Sequence, residues 1–392
     1  MRELRESELD WLYREVMLPA AQALLVVELH GVPVDCSWLE QFERELDEEI
    51  QQHQSCCWEE VGKPFNLRSP NGVKHILAQR GIMVDTTNAG ELEKFADDPL
   101  VKHLIAARKA LHSKSTWVDG LRGRIVNGRV YTHFNLVGSR TGRIAGSRPN
   151  FLNIKRGRVR KLVAAKNAWI VQVDASQSEL RCLAALSGDP WLCEIFREGR
   201  DLHSETSRLV FGSSDPAARR MAKNINFGFI YSLGNVGMLS WRFGLEPAVA
   251  KRVEQLYRSH MAGVYDWIER EWDFVVRHGY AVTPFGRRRR FPGVSPNDHQ
   301  TKKEAINFLP QSWSSDINLL VVSRLDSDLL ALVILPVYDS IVLEVPGSRN
   351  DAIAVGRRVA QLYEEIGSWA LARVPMKVDV SVGPNWGELQ TV

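Results

Sequence analysis

The segment "VILPVYDSIVLEVP" (residues 333–346) is almost entirely apolar, yet an aspartate, Asp339, lies at its centre. Its β-branched residues, interrupted and bounded by prolines, predict a β-hairpin with Tyr338, Asp339 and Ser340 at the tip. Aspartate is common in turns because its side chain bonds to nearby backbone. Asp339 taken alone therefore fits a turn-forming role as well as a chemical one, and only a partner residue could decide between them.

A second apolar strand, residues 169–173, also ends on an aspartate, Asp174, and a helical pattern follows at once. Two aspartates at strand ends can meet at one edge of a sheet. Like charges side by side are unfavourable unless a proton or a divalent cation lies between them, and Mg²⁺ prefers oxygen ligands. The pair therefore suggests a metal site.

The composition limits the class of protein. The chain has 392 residues, 44% hydrophobic and 25% charged, which is typical of a soluble chain with two or three subdomains. The formal net charge of +3 is too small to establish a polyanionic partner. Two runs, "KRGRVRK" (155–161) and "GRRRR" (286–290), are strongly basic, but either could be a solvated face.

Cysteine spacing and hydropathy bear on location. The five cysteines show neither zinc-type spacing nor a disulfide framework, which favours a reducing cytoplasm. The most apolar stretch, residues 329–337, is too short to span a bilayer and contains a proline. We therefore expect a cytoplasmic protein with no membrane partner.

The order of predicted elements indicates the fold class. Helical patterns occupy residues 7–60 and about 100–117, whereas the strands cluster late in the chain, around both aspartates. Few short crossovers separate these strands, so an antiparallel sheet and an α+β class are predicted.

The segment "SSDPAARRMAKNINFGFIYSLG" (213–234) predicts a helix that begins at an aspartate followed by proline. Arg219, Lys223, Phe227 and Tyr231 lie four residues apart, on one face that spans about 18 Å at roughly 1.5 Å per residue. A triphosphate needs cations and a base needs a flat apolar surface, so the face has the chemical order of a bound nucleotide. The alternative is an aromatic pair that faces the core beside solvated cations.

These residues resemble three ordered motifs of the family A DNA polymerases, the family of bacterial DNA polymerase I. The matching segments are "DASQSELR" (174–181) for motif A, "RRMAKNINFGFIYS" (219–232) for motif B and "VYDSIVLEVP" (337–346) for motif C. Further segments that resemble the family in the same order are "LDWLYREVMLPAAQALLVVELHGVPVD" (9–35), "SKSTWVDGL" (113–121), "RTGRIAGSRPNFLNI" (140–154), "DLHSETSRLVFG" (201–212), "TPFGRRRR" (283–290) and "NFLPQSWSSD" (307–316). The resemblance covers almost the whole chain.

The resemblance implies a right-hand polymerase fold with an antiparallel palm sheet, a helical thumb and helical fingers. The expected boundaries are thumb 1–128, palm 129–202 and 281–392, and fingers 203–280. The implied activity is template-directed addition of deoxynucleotides to a primer 3′ end, without a proofreading exonuclease because the thumb begins near residue 9. Primer–template DNA and deoxynucleoside triphosphates are the expected partners of a monomer, while a processivity partner is left open.

The resemblance also assigns the metal site. Asp174 and Asp339, with the carbonyl of Ala175, would hold two Mg²⁺ ions about 3.5–4 Å apart, as in other two-metal sites. Mn²⁺ is an expected substitute.

The resemblance further assigns nucleotide-binding residues. Arg219 and Lys223 would clamp the triphosphate, with Lys223 also contributing to catalysis. Phe227 would stack at the sugar and base, while Tyr231 would close the pocket. Three further residues are assigned to the nucleotide, two beside the triphosphate and one as a block to a ribose 2′-hydroxyl: His203, Gln177 and Glu179.

Contacts with the primer–template are assigned to residues spread along the chain. The expected residues are Lys114, Arg143, Asn150, Arg287, Arg288, Asn307, Gln311 and Tyr338. Within the same basic run, Arg289 and Arg290 are expected to be solvated charge only.

Four positions depart from the family pattern. Ala175 follows the motif A aspartate where tyrosine is usual, and Tyr338 and Ser340 flank the motif C aspartate in place of histidine and glutamate. Ser232 replaces a glycine in motif B. These departures bear on efficiency and fidelity more than on reaction type.

Two other classes of protein remain as alternatives. Single-subunit RNA polymerases share the fold, but Glu179 as a ribose block favours DNA synthesis. A catalytically inactive nucleic-acid-binding relative would have no need to keep either aspartate.

Overall fold

The computed structural model describes residues 8–231 and 244–392, with only the backbone described for residues 229–231. Ser232 lies outside these ranges. The protein combines a five-stranded antiparallel sheet, three two-stranded sheets and many helices, so the predicted α+β class is confirmed. No helix within the described residues is both long and apolar enough to cross a bilayer.

The strands outside the large sheet are short, and so is β11 within it. In chain order they are β1 (Val32–Pro33), β2 (Arg129–Val130), β3 (His133–Asn135), β4 (Ala145–Ser147), β5 (Ala168–Ala175), β6 (Tyr280–Val282), β7 (Arg288–Arg290), β8 (Val333–Val337), β9 (Ser340–Pro346), β10 (Val378–Gly383) and β11 (Gln390–Thr391).

The α-helices precede, interrupt and follow these strands. In chain order they are α1 (Leu18–His30), α2 (Cys36–Val61), α3 (Pro70–Gln79), α4 (Ala89–Leu92), α5 (Pro99–Ser113), α6 (Gly120–Arg122), α7 (Ser178–Ser187), α8 (Pro190–Arg197), α9 (Leu202–Phe211), α10 (Pro216–Tyr231), α11 (Pro247–His260), α12 (Ala262–His278), α13 (His299–Arg324), α14 (Ser327–Leu330) and α15 (Arg349–Leu371).

The large sheet has the strand order β11-β10-β5-β9-β8, with β5 at its centre. All five residues of β8 are buried, and β9 is buried over most of its length. Helix α15 packs on β5 and β10. The two aspartates predicted to meet therefore lie at the end of the central strand and in the turn of the neighbouring hairpin.

Apolar side chains in the described residues form three clusters. The first joins the large sheet to α1, α13 and α15. The second lies among α7 to α13, and the third joins the end of α2 to α3 and α5. The second cluster includes Leu180 on α7, so it begins before residue 203, the expected first residue of the fingers. The limits expected for thumb, palm and fingers stay predictions.

Two local expectations needed correction. The helical pattern predicted over residues 7–60 is divided between α1 and α2 at Gly31, whose φ of 71° suits glycine and whose Cβ would lie 2.9 Å from the Tyr131 ring. Ser340, expected at the hairpin tip, is instead the first residue of β9 and pairs with Asp174. The turn is therefore tighter than predicted, with only Tyr338 and Asp339 between the strands.

A buried ion pair joins the β6–β7 hairpin to α13. The Arg287 guanidinium donates to both oxygens of Asp316, with Nε–Oδ1 and Nη2–Oδ1 distances of 2.9 and 2.6 Å. The side chain of Asp316 is 0% exposed, and burial raises its pKa against the opposing effect of Arg287. Arg287 therefore neutralises a carboxylate inside the core, and its expected contact with DNA stays a prediction.

We expect Arg287→Ala to lower the free energy of unfolding by about 3–5 kcal/mol, because it leaves the Asp316 carboxylate buried without a partner. Urea denaturation monitored by tryptophan fluorescence measures the change. Arg290→Ala, an exposed position in the same basic run, is the matched control and should leave the unfolding midpoint unchanged. Equal midpoints for the two variants would contradict the structural role of Arg287.

Candidate active site

A two-residue turn holds Asp339 against the end of β5. Tyr338 has a φ of 55°, in the left-handed region that tight hairpin turns require. The Ala175 N–H donates to the Asp339 carbonyl at 3.0 Å. Because Asp174 and Ala175 are consecutive at the end of β5, this bond fixes both aspartates at one place on the sheet.

Burial and proximity disfavour the charged forms of both carboxylates. Burial, followed by the charge of Asp339, raises the pKa of Asp174 to about 6. Burial also raises the pKa of Asp339, and the charge of Glu179 adds to that effect, whereas Arg143 and Arg156 oppose it. The paired site is therefore one that a bound cation would stabilise.

The donor set suits Mg²⁺. The carboxylates of Asp174 and Asp339 and the Ala175 carbonyl offer oxygen ligands where β5 meets the turn. Within residues 8–231 and 244–392, no group of three or more His, Cys, Asp or Glu side chains is arranged to hold a metal ion. Mg²⁺ commonly uses one or two carboxylates and takes its remaining ligands from water and substrate phosphates, so the two aspartates fit.

The sheet register adds a third carboxylate that sequence reasoning did not single out. Asp379 on β10 lies opposite Asp174, and its charge contributes to the raised pKa of Asp174. On the other side of Asp174, Ser340 is buried and its Oγ donates to the Val337 carbonyl at 3.1 Å. The sequence predicts strands late in the chain, but only the pairing of β10 with β5 places Asp379 here.

A chain of polar contacts runs from Glu179 to the turn. Arg143 forms an ion pair with Glu179, and its guanidinium lies over the Tyr338 ring, 5.2 Å from the centroid. The Tyr338 hydroxyl donates to the side chain of Asn153. Burial raises the pKa of Glu179, whereas Arg143 lowers it. The predicted ribose block and two predicted DNA contacts therefore form one cluster beside the aspartates.

Helix α10 carries the predicted nucleotide face. Arg219 forms a two-point contact with Asp201, at 3.0 Å from Nε and 2.9 Å from Nη2. Gln177 donates to the same carboxylate at 3.1 Å. Lys223 is exposed and Phe227 is partly buried, whereas the side chain of Tyr231 lies outside the described part of the chain. Arg219 and Gln177 thus meet on the Asp201 carboxylate, and their role in binding a triphosphate stays a prediction.

His203 lies inside the protein. It is 2% exposed, one ring nitrogen lies 2.9 Å from the Asn226 side-chain nitrogen, and its ring is 5.7 Å from that of Phe227. Burial is the main cause that lowers the pKa of His203 to about 4. The imidazole is therefore neutral at neutral pH, so it can offer a triphosphate a hydrogen bond but no positive charge.

The remaining predicted DNA contacts lie on several elements. Lys114, directly after α5, contacts Asp47 at 2.5 Å, and this hydrogen bond raises its pKa. The Asn150 side chain accepts from the Leu152 N–H. Asn307 and Gln311 lie one turn apart on α13, both partly buried. Their contacts with DNA stay predictions.

The basic run 286–290 borders a cleft of about 760 Å³, which Arg140 also lines. Arg288 pairs with Glu8 at 2.5 Å and lies over the Tyr280 ring. Arg289 was expected to be solvated charge, but its side chain is only 15% exposed because it pairs with Glu304 and packs on Phe291. Arg290 is exposed, as expected.

Comparison with known proteins gives consistent matches. DNA polymerase I, thermostable, from Thermus thermophilus is 34% identical over 415 residues, which cover 97% of this chain and 49% of that protein. DNA polymerase I from Geobacillus stearothermophilus is 31% identical, over 98% of this chain and 47% of its own length. The chain spans about half the length of the curated relatives it matches.

A solved structure supports the same relationship. The polymerase domain of Pol1 from M. smegmatis, in complex with DNA primer–template and dNTP, superposes with a TM-score of 0.88 at 28% identity. The match covers 98% of this chain and 72% of that one. The family model for DNA polymerase family A matches residues 36–388. The chain therefore belongs to DNA polymerase family A, and the resemblance inferred from its motifs is confirmed.

Proposed function

We propose that this chain is a template-directed DNA polymerase that adds deoxynucleotides to a primer 3′ end by a two-metal mechanism. The observation that carries the proposal is the pair of partly buried carboxylates, Asp174 and Asp339, together with a helix that presents Arg219 and Lys223. Relatives named DNA polymerase I, and a neighbour solved with primer–template and dNTP, support it.

Asp174, Asp339 and the Ala175 carbonyl would hold the two Mg²⁺ ions. Such ions activate a hydroxyl nucleophile and stabilise a leaving pyrophosphate. The protein contributes rigidity, because the bond from Ala175 to Asp339 fixes both carboxylates before any substrate binds. The two aspartates therefore need little rearrangement when a nucleotide arrives.

The nucleotide would lie along α10. Arg219 and Lys223 neutralise the triphosphate, Gln177 and neutral His203 add hydrogen bonds, and Phe227 meets the sugar and base. Tyr231 at the end of the helix closes the pocket. This order follows from the four-residue spacing, since successive groups are about 6 Å apart along the helix axis.

The primer–template would lie across the remaining predicted residues, between a helical thumb (1–128) and fingers (203–280) over a palm (129–202 and 281–392). Phosphate contacts position a duplex without reading its sequence. The proposed DNA-binding residues are Lys114, Arg143, Asn150, Arg287, Arg288, Asn307, Gln311 and Tyr338.

We expect Asp174→Asn or Asp339→Asn to reduce primer extension by at least about 10²–10³-fold, comparable to deleting one electrostatic stabiliser of a transition state. Primer–template binding, measured by fluorescence anisotropy, should change little because neither residue is a phosphate contact. Asp379→Asn, opposite Asp174 but exposed at β10, is the matched control and should cost much less. Near-normal extension by either first variant would refute the metal assignment.

We expect the Mg²⁺ concentration for half-maximal extension to rise as the pH falls below about 6. The raised pKa of Asp174, about 6, means that the folded protein protonates this ligand as pH falls through that value. A proton then competes with the cation, so the Mg²⁺ concentration for half-maximal extension should rise by up to about tenfold for each further pH unit. Mg²⁺ titrations of extension rate between pH 5.5 and 8 test this, and a midpoint that does not change with pH would contradict it.

We expect sugar selectivity to depend on two separate residues. Phe227→Tyr supplies a hydroxyl near the missing 3′ group of a dideoxynucleotide, so it should relax discrimination against such terminators. Glu179→Ala removes the block beside the ribose 2′ position and should admit ribonucleotides. Incorporation ratios for matched nucleotides measure both effects.

The same ratios separate DNA synthesis from RNA synthesis, the activity of the single-subunit RNA polymerases. Wild-type protein should prefer deoxynucleotides strongly. If both variants keep wild-type selectivity, the assignment of Phe227 and Glu179 is wrong even where Asp174 and Asp339 prove essential.

A further inference from the structure

Asp201 is fixed at the first turn of α9. Its Oδ1 accepts hydrogen bonds from the backbone N–H and the hydroxyl of Ser204, both at 2.7 Å. This is the usual arrangement of a helix N-cap, in which a side-chain oxygen satisfies an unpaired N–H of the first turn. The position of the carboxylate is therefore set by α9, independently of any nucleotide.

The Asp201 carboxylate also accepts hydrogen bonds from two side chains that are proposed to bind the triphosphate. Arg219 contacts both of its oxygens, at 3.0 and 2.9 Å, and Gln177 donates to Oδ2 at 3.1 Å. A carboxylate bound by two guanidinium nitrogens accepts from the same N–H donors, in the same geometry, that a phosphate would use. Asp201 thus stands where an anionic ligand of Arg219 would otherwise bind.

Asp201 remains ionised over the working pH range. Burial acts to raise its pKa, but the hydrogen bonds from Arg219 and Ser204 outweigh that effect and lower the pKa to about 2. A triphosphate therefore meets a negative charge that neutral pH does not remove, and the two Arg219 nitrogens bound to Asp201 become free only when that carboxylate is displaced.

We propose that Asp201 is an internal competitor of the nucleotide triphosphate, which must take Arg219 and Gln177 away from this carboxylate in order to bind. The inference rests on the proposed function. The contact joins α9 to α10 and to the residue before α7, so the exchange removes one of the contacts that hold α10 against α9. Asp201 therefore raises the nucleotide concentration that the enzyme needs.

The expected size of the effect is moderate. The Arg219 and Asp201 side chains are 42% and 31% exposed, so solvent screens their attraction in part. Coupling in exposed pairs is small, and its release corresponds to about a two- to fivefold change in affinity.

The test replaces Asp201 by asparagine, which removes the charge but keeps an oxygen that can cap α9. Primer extension by Asp201→Asn should show a nucleotide KM lowered about two- to fivefold, with kcat changed less. Inorganic triphosphate, which has no base or sugar, should inhibit the variant at a concentration lower by the same factor. Asp201→Ser, which also caps helices, gives a second measurement if the asparagine variant folds poorly.

Asp98→Asn is the matched control. Asp98 caps α5 by accepting from the Val101 N–H, and it pairs with Arg80 at 3.3 Å, but it lies on a different hydrophobic cluster from α9 and α10. The Asp98→Asn variant thus also removes a capping carboxylate that pairs with an arginine, but at a site away from the nucleotide face. This variant should keep the wild-type KM and triphosphate inhibition.

The outcomes separate this inference from the proposed function. An unchanged or raised KM in both Asp201 variants would overturn it and would make Asp201 a residue that positions Arg219. A lowered KM without stronger inhibition by inorganic triphosphate would also overturn it, because the effect would then act on the base or sugar. Wild-type protein that extends no primer would instead refute the proposed polymerase activity.

Discussion

The central constraint on this protein is that the sheet must hold two carboxylates close together although their charges repel. Asp174 ends the central strand, and the bond from the Ala175 N–H to the Asp339 carbonyl ties the neighbouring turn to it. The buried strands β8 and β9 make this turn rigid, since their apolar residues fix the register that puts Ser340 opposite Asp174. The strands that stabilise the fold therefore also hold the two carboxylates of the proposed metal site.

Most of the cationic side chains that are proposed to bind nucleotide or DNA already form ion pairs with carboxylates of the protein. A protein with a net charge of only +3 can keep many arginines near a polyanion because each is neutralised locally. Binding then becomes an exchange of one anion for another, which favours ligands that present several charges at once. The pairs are Arg219 with Asp201, Arg143 with Glu179, Lys114 with Asp47, Arg287 with Asp316 and Arg288 with Glu8.

The ion pairs differ in the free energy required to replace the protein carboxylate by an anion of the ligand. Arg287 faces a carboxylate with no exposure to solvent, so its release would leave a buried charge without compensation. The side chains of Arg219 and Asp201 remain partly exposed, and water can replace either partner. The family resemblance assigned Arg219 to the triphosphate and Arg287 to DNA, and the burial of their partners distinguishes the two residues.

Strand ends, the antiparallel class and the helix face at Arg219 and Phe227 followed from the sequence, because side-chain periodicity and turn residues are local properties. Contacts between residues distant in sequence could not be predicted in this way. Asp201 is 18 residues from Arg219 and Asp379 is opposite Asp174 only through strand pairing, while Arg289 is largely covered by Glu304 and Phe291. The sequence by itself determined which groups could perform the chemistry, whereas the tertiary structure decided which charges they face, since burial and pairing depend on contacts between distant segments.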